Sequence, residues 1–129
     1  MARMNEDNRP IKIDVATQYI ESQSAPENDR FVFSYTITIT NNSNEAAQLL
    51  NRHWLITDAN SRIQEVRGEG VVGEQPHLQP GESFRYTSGA VLETAVGSMH
   101  GSYEMIRDDG IRFDAPIAPF SLAIPRTLH

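Results

Sequence analysis

A chain of 129 residues with no cysteine and a net charge of -6 at pH 7 is long enough to build one domain around its own core, without metal or disulfide staples. The lack of cysteine excludes a disulfide framework, a thiolate metal site and a cysteine nucleophile. Its eleven basic residues are scattered among seventeen acidic ones, leaving no basic stripe to neutralise phosphates, so nucleic-acid binding is not expected.

The opening, Met1 to Pro10, is polar and charged with no apolar run. It reads as a flexible N-terminus and as neither a secretion signal nor a membrane anchor. No apolar stretch approaches the roughly 20 residues that a bilayer-spanning helix needs, so the expected location is the cytoplasm. Residues 11–125 are expected to form the domain, and residues 126–129 a tail.

Along the domain the dominant period is two, the spacing at which successive side chains fall on opposite faces of a sheet. Ile11, Ile13, Val15, Thr17 and Tyr19 mark a first strand with one buried face. After a polar loop over residues 22–30, Phe31, Phe33, Tyr35, Ile37 and Ile39 alternate with Val32, Ser34, Thr36, Thr38 and Thr40, the clearest strand in the chain. Asn41 to Asn44 then turns the chain, because short polar side chains bond their own backbone.

Residues 47–57 read as a third strand with apolar residues on both faces, the mark of a bulge or of a central position in a sheet. Asp58 to Ser61 closes it, and residues 63–66 start a short return strand. Pro80-Gly81 fits the centre of a type II turn. Residues 83–88 alternate again, with Phe84 and Tyr86 on one side, and Ser88-Gly89 reads as a turn. Residues 91–94 are ambiguous, and Gly97 and Gly101 bracket a loop or bulge. A strand over residues 102–107 ends at the hairpin signal Asp108-Asp109-Gly110. Residues 111–114 return, Pro116 and Pro119 interrupt, and Phe120, Leu122 and Ile124 form a last alternating run, its prolines suited to an edge strand.

No segment of ten or more residues carries a helical stripe. Seven to nine short strands in a chain of this length predict an all-β sandwich. An immunoglobulin-like or fibronectin type III-like version is favoured by Trp54 on the third strand, by Tyr103 where a tyrosine corner would stand, and by Met105 in place of a core cysteine.

Chemistry is sparse. Gly68-Glu-Gly-Val-Val-Gly73 has the spacing of a dinucleotide fingerprint, which works only where the glycines follow a strand and open a helix. Here Pro76 and Pro80 forbid that helix, and Glu69 and Glu74 would face the phosphate. The motif therefore reads first as a structural turn. Its second reading is a loop for a partner or a small anion, with Gly68, Glu69, Gly70 and Gly73 as the candidate residues. Among His53, His77, His100 and His129 no pair has the close spacing of a preformed metal site, though a cluster assembled only in three dimensions stays open; His53, beside Trp54, reads as a core or interface histidine. There is no Gly-x-Ser-x-Gly elbow, no phosphate-binding loop and no paired-histidine zinc helix, so no catalytic residue, cofactor or enzymatic activity is expected. Sheet edges leave a homodimer open, with Pro116, Pro119 and Pro125 blunting the last strand.

Taken in order, Arg52-His-Trp-Leu-Ile-Thr-Asp58, Glu65-Val-Arg-Gly-Glu-Gly-Val-Val-Gly73, Pro76-x-Leu78-x-Pro80-Gly-Glu82, Tyr86-Thr-Ser-Gly89 and Gly97-Ser-Met-His-Gly-Ser-Tyr-Glu-Met105 resemble the bacterial ApaG family, also called CorD. The resemblance spans nearly everything from Ile11 to Pro125. It implies a fibronectin type III or immunoglobulin-like sandwich. Because the same domain occurs in a eukaryotic F-box protein and a polymerase-associated protein, it also implies an interaction module with a protein partner. The family's links to cobalt tolerance and magnesium efflux imply, as the alternative, direct binding of divalent cations or phosphate compounds.

Overall fold

The computed structural model describes residues 9–125, and the expectations for Met1 to Asn8, for the 126–129 tail and for His129 fall outside them. Eight strands, β1 (Ile11–Tyr19), β2 (Phe31–Asn41), β3 (Ala47–Asp58), β4 (Ile63–Glu69), β5 (His77–Leu78), β6 (Ser83–Leu92), β7 (Val96–Arg107) and β8 (Arg112–Ala123), are joined by loops that hold only two single-turn 3₁₀ helices. All pairing is antiparallel. One sheet has the order β1-β2-β6, and the other has the order β4-β3-β7-β8 with β5 also paired to β3. This is the expected sandwich. No helix among the described residues is long and apolar enough to cross a membrane.

The core lies between the sheets and is made by the alternation read from the sequence. Phe33, Tyr35, Ile37 and Ile39 of β2 are buried, as are Trp54 and Ile56 of β3 and Met99, Tyr103 and Met105 of β7. Trp54 is the hub: its ring meets those of Tyr35, Tyr103 and Phe120 edge-on, with centroids 5.4, 6.2 and 5.8 Å away, the geometry aromatic quadrupoles favour. Tyr103 makes no tyrosine corner. Its hydroxyl crosses the core to the Tyr86 hydroxyl at 2.5 Å and so ties β7 of one sheet to β6 of the other. Burial raises both phenols, Tyr86 to about 12 and Tyr103 further, since a charged phenolate has no water there.

Two bulges explain where simple alternation fails. Leu49 pairs with Met105 but Asn51 with Glu104, so Leu50 is the extra residue of β3. The inward parity then switches from Ala47 and Leu49 to Trp54 and Ile56. This strand is both bulged and central, which is why both its faces look apolar. On β8, Ala118 and Pro119 together oppose His100 between the pairs Gly101–Ile117 and Met99–Phe120. The prolines therefore do not break the last segment in two; β8 runs continuously at the sheet edge, where a missing N–H is harmless. Ser88-Gly89 is likewise no turn, because β6 runs straight through both to Leu92. Residues 91–94 resolve into the end of that strand and a bend, and Gly97 and Gly101 lie inside the continuous β7.

The predicted turns stand. Glu82 N donates to Gln79 O at 2.9 Å across Pro80-Gly81, with Gly81 at φ 85°, a type II turn. Gly110 N and Arg107 N close the 108–110 hairpin. Asn41 does more than turn the chain. It is the one fully buried polar side chain among the described residues. Its Nδ2 donates to the carbonyls of Glu45 and Leu78 at 2.8 and 2.9 Å, and its Oδ1 accepts from Ser43 N and Oγ.

Candidate functional site

The glycine motif is an excursion in an edge. β4 pairs with β3 from Thr57 back to Asn51, and β5 takes up the same side of β3 at Gln48 and Ala47. The residues between, 70–76, therefore bulge out opposite Leu50, the residue inserted into β3. The Leu50 carbonyl accepts from Gly70 N at 2.8 Å and from Gln75 Nε2 at 3.0 Å, and Leu49 N donates to Pro76 O at 3.0 Å. Each lip of the excursion is thus pinned to the bulge.

The candidate residues divide between strand and loop. Gly68 and Glu69 belong to β4, which extends past the expected end at Val66. Gly68 is a close approach: a Cβ there would come within 2.6 Å of Arg52 Cζ. The Arg52 guanidinium lies across it and donates from Nη1 to the carbonyls of Glu69 and Gly70 at 3.1 and 2.9 Å. Gly70 begins the excursion at φ 66°, where a Cβ would stand 2.5 Å from Glu74 O. Val71 and Glu74 then exchange backbone hydrogen bonds of 2.8 and 2.9 Å around Val72 and Gly73, at φ 43° and 81°. Positive φ at both central residues makes this a type I′ turn. Val71 is fully buried, while Val72 at the tip is 57% exposed. The amides of Gly70, Val71 and Glu74 already donate to backbone carbonyls, so little of an anion-binding nest is left.

Beside the loop, the outer face of the larger sheet holds an open cleft of about 510 Å³ that includes Asn51, His53, Arg67, Glu69, Glu104 and Asp114. The register puts these in rows: Glu69, Asn51, Glu104 and Asp114 across one, Arg67, His53 and Ser102 across the next. His53 is on this outer face, not in the core. Its Nε2 is 2.6 Å from Glu65 Oε2, which Arg67 Nη2 also reaches at 3.1 Å. The His53 hydrogen bond, helped by the Arg67 charge, lowers the Glu65 pKa. Asn51 Nδ2 donates to Glu104 Oε1 at 2.7 Å.

The other described histidines are apart from this cluster. His77 pairs with Asp108 at 2.8 Å, and His100 stands opposite Leu55. Among the described residues no three His, Asp or Glu side chains converge as a cation cage. Sequence reasoning singled out the glycines and His53 but missed Val72, Glu104 and Asp114. Positions that share a row only through strand register leave no local spacing to find; the one available signal was a β-branched residue next to a turn glycine.

Comparison with known proteins bears on fold and family. The family model described as the ApaG domain matches residues 21–107. The protein ApaG of Azoarcus sp. strain BH72 is 62% identical over 119 residues, 92% of this chain and 94% of its own. Protein ApaG of Pseudomonas putida is 55% identical over 126 residues, 98% of this chain and 100% of its own. Among solved structures, an ApaA protein of Bordetella pertussis superposes with a TM-score of 0.88 at 50% identity, covering 91% of this chain and 95% of that one. The C-terminal domain of wzt, with a TM-score of 0.54 at 11% identity over 92% of this chain and 75% of its own, shares the fold alone. A model match over two thirds of the chain, together with relatives this similar end to end, places it: this chain belongs to the ApaG family.

Proposed function

We propose that the domain is a non-enzymatic interaction module of the cytoplasm, and that it meets a protein partner through the Gly70–Gly73 turn and the polar cleft beside it. One observation carries the reading: Val72 is held at φ 43° with more than half its surface in solvent. A β-branched side chain in the left-handed region costs on the order of 1–2 kcal/mol. With more than half its surface in solvent, valine gains less from burial here than a covered one, whereas glycine or asparagine would turn the chain without that strain. The apolar tip gains its benefit when something covers it. The cleft supplies the polar surround that an interface rim uses, with the Glu69 and Asp114 carboxylates open beside the Asn51–Glu104 pair.

The test is affinity capture from the native host with the unmodified domain and with Val72→Asp. A partner retained by the first and lost with the second is the expected result; no partner above background with either sinks the reading. Amide NMR titrations with cobalt, magnesium and pyrophosphate run beside it. Saturable shifts at Gly68 to Gly73 or at a histidine would transfer the site to cation or phosphate binding.

A further inference from the structure

The four strand edges of the sandwich are not equally defended. β8 carries Pro116 and Pro119. β4 carries Glu65, Arg67 and Glu69, and its path is broken by the glycine excursion. β1 carries Lys12 and Asp14 and runs alongside β8. Charge, proline and irregular backbone are the usual means of keeping a foreign strand off. β6 has none of them over Ser83 to Leu92 except Arg85, and it has only β2 as a neighbour.

Its open side can be assigned residue by residue. Glu82 O, just before the strand, accepts from Asn41 N of the β2 side, whereas Val91 O faces away from β2 and receives Gln64 Nε2. By the alternation of an antiparallel ladder, the N–H and C=O groups of Ser83, Arg85, Thr87 and Gly89 point outward. All four residues are exposed. Gly89 brings no side chain to this edge, which lets another backbone come close.

We infer that β6 is a self-pairing edge: two copies of the chain join β6 to β6 antiparallel about a two-fold axis at Thr87, making a continuous six-stranded sheet. Three features select a second copy as the occupant. In this register Thr87 faces itself and Arg85 of each copy faces Gly89 of the other, so no like charges meet and neither Arg85 side chain is obstructed. The Arg85 and Gly89 pairs and the central Thr87 pair all have their polar groups turned outward, giving six backbone hydrogen bonds. Finally, the chain is acidic overall, and β6 alone among the edges has a basic residue and no acidic one. The paired residues therefore bring no carboxylates of the two acidic molecules face to face, Glu82 and Glu93 lying just outside them. The glycine turn and cleft stay outside the ladder, so this inference and the proposed function can fail separately.

Sedimentation equilibrium over micromolar to millimolar concentrations tests it. The unmodified protein is expected to reach twice the 14.5 kDa of one chain. Thr87→Lys sets two ammonium groups opposite each other, and Thr87→Pro removes a donor that β2 does not use. Both should sediment as one chain and remain folded, with no more than a small drop in urea midpoint from loss of the Thr36–Thr87 hydroxyl bond and of the association itself. Ala16→Lys, on the β1 edge, should keep the doubled mass. A single-chain mass for the unmodified protein throughout, a doubled mass that survives in both Thr87 variants, or its loss in Ala16→Lys overturns the inference. Protection of the Arg85, Thr87 and Gly89 amides from exchange only when host extract is added would give the edge to a foreign strand, and overturns it too.

Discussion

Trp54 lies within the larger sheet and Val72 on a loop at its edge; both are apolar, and the fold treats them in opposite ways. Trp54 is 2% exposed and set edge-on against three aromatic rings; Val72 is 57% exposed on a backbone conformation that suits it poorly. Every contact of Trp54 is made within the domain, so its worth is stability. Val72 has more than half its surface in solvent, and under the proposed function its worth lies in what the domain touches. The two residues thus separate what holds the sandwich together from what it presents.

The sharpest way to break this division is Trp54→Ala, which should remove about 3–5 kcal/mol of stability through the cavity it opens, read by urea unfolding. A loss under about 1 kcal/mol would mean that the core does not turn on the indole. Tyr103→Phe comes next, at roughly 1–3 kcal/mol, because it leaves the Tyr86 hydroxyl buried without its partner.

The same pair gives a pH signature. Both tyrosines have raised folded pKa values, Tyr86 at about 12, while the unfolded chain releases these protons near pH 10. Their contribution is therefore complete below pH 10 and falls as pH rises above it, at a slope of roughly 1.4 kcal/mol per pH unit for each tyrosine, that of Tyr86 being lost through about 12 and that of Tyr103 beyond it. Urea midpoints against pH should show that slope about halved in Tyr103→Phe. Smallest of all is Val72→Gly, where relief of strain offsets the extra freedom of the unfolded chain. Stability should move by less than about 1 kcal/mol while partner capture is lost. A large destabilisation would return Val72 to the structural side of the division.

Much of the sandwich was legible in the sequence, because alternation reports a buried face directly: β2 and the inward residues of β6 and β7 stand where the period puts them. Turns with their own chemistry, at Pro80-Gly81 and Asp108 to Gly110, were legible for the same local reason. The misreadings came from non-local geometry. Ser88-Gly89 has turn composition, yet β2 pairs with both and holds them extended. Gly68 reads as part of a loop until Arg52, sixteen residues earlier, is seen lying across it. Tyr103 has the spacing of a corner, but its partner Tyr86 is on the other sheet. In the candidate site the glycines were visible as a pattern, whereas the rows joining Glu69 to Asp114 follow from register across four strands, which no window of sequence contains.

Asn41 carries a consequence for engineering this scaffold. Its side chain binds the 43–45 segment and the end of β5, and its backbone exchanges bonds with Gly81 and Glu82. Two connections at that end of the sandwich, β2 to β3 and β5 to β6, therefore share Asn41 as their common anchor. Lengthening either would strand polar groups belonging to the other. The backbone of the 108–110 hairpin closes on itself, and its Asp108 meets His77 only through an exposed side-chain pair. Grafted epitopes or inserted domains are best accepted there, and loops at the Asn41 end are best kept at their natural length.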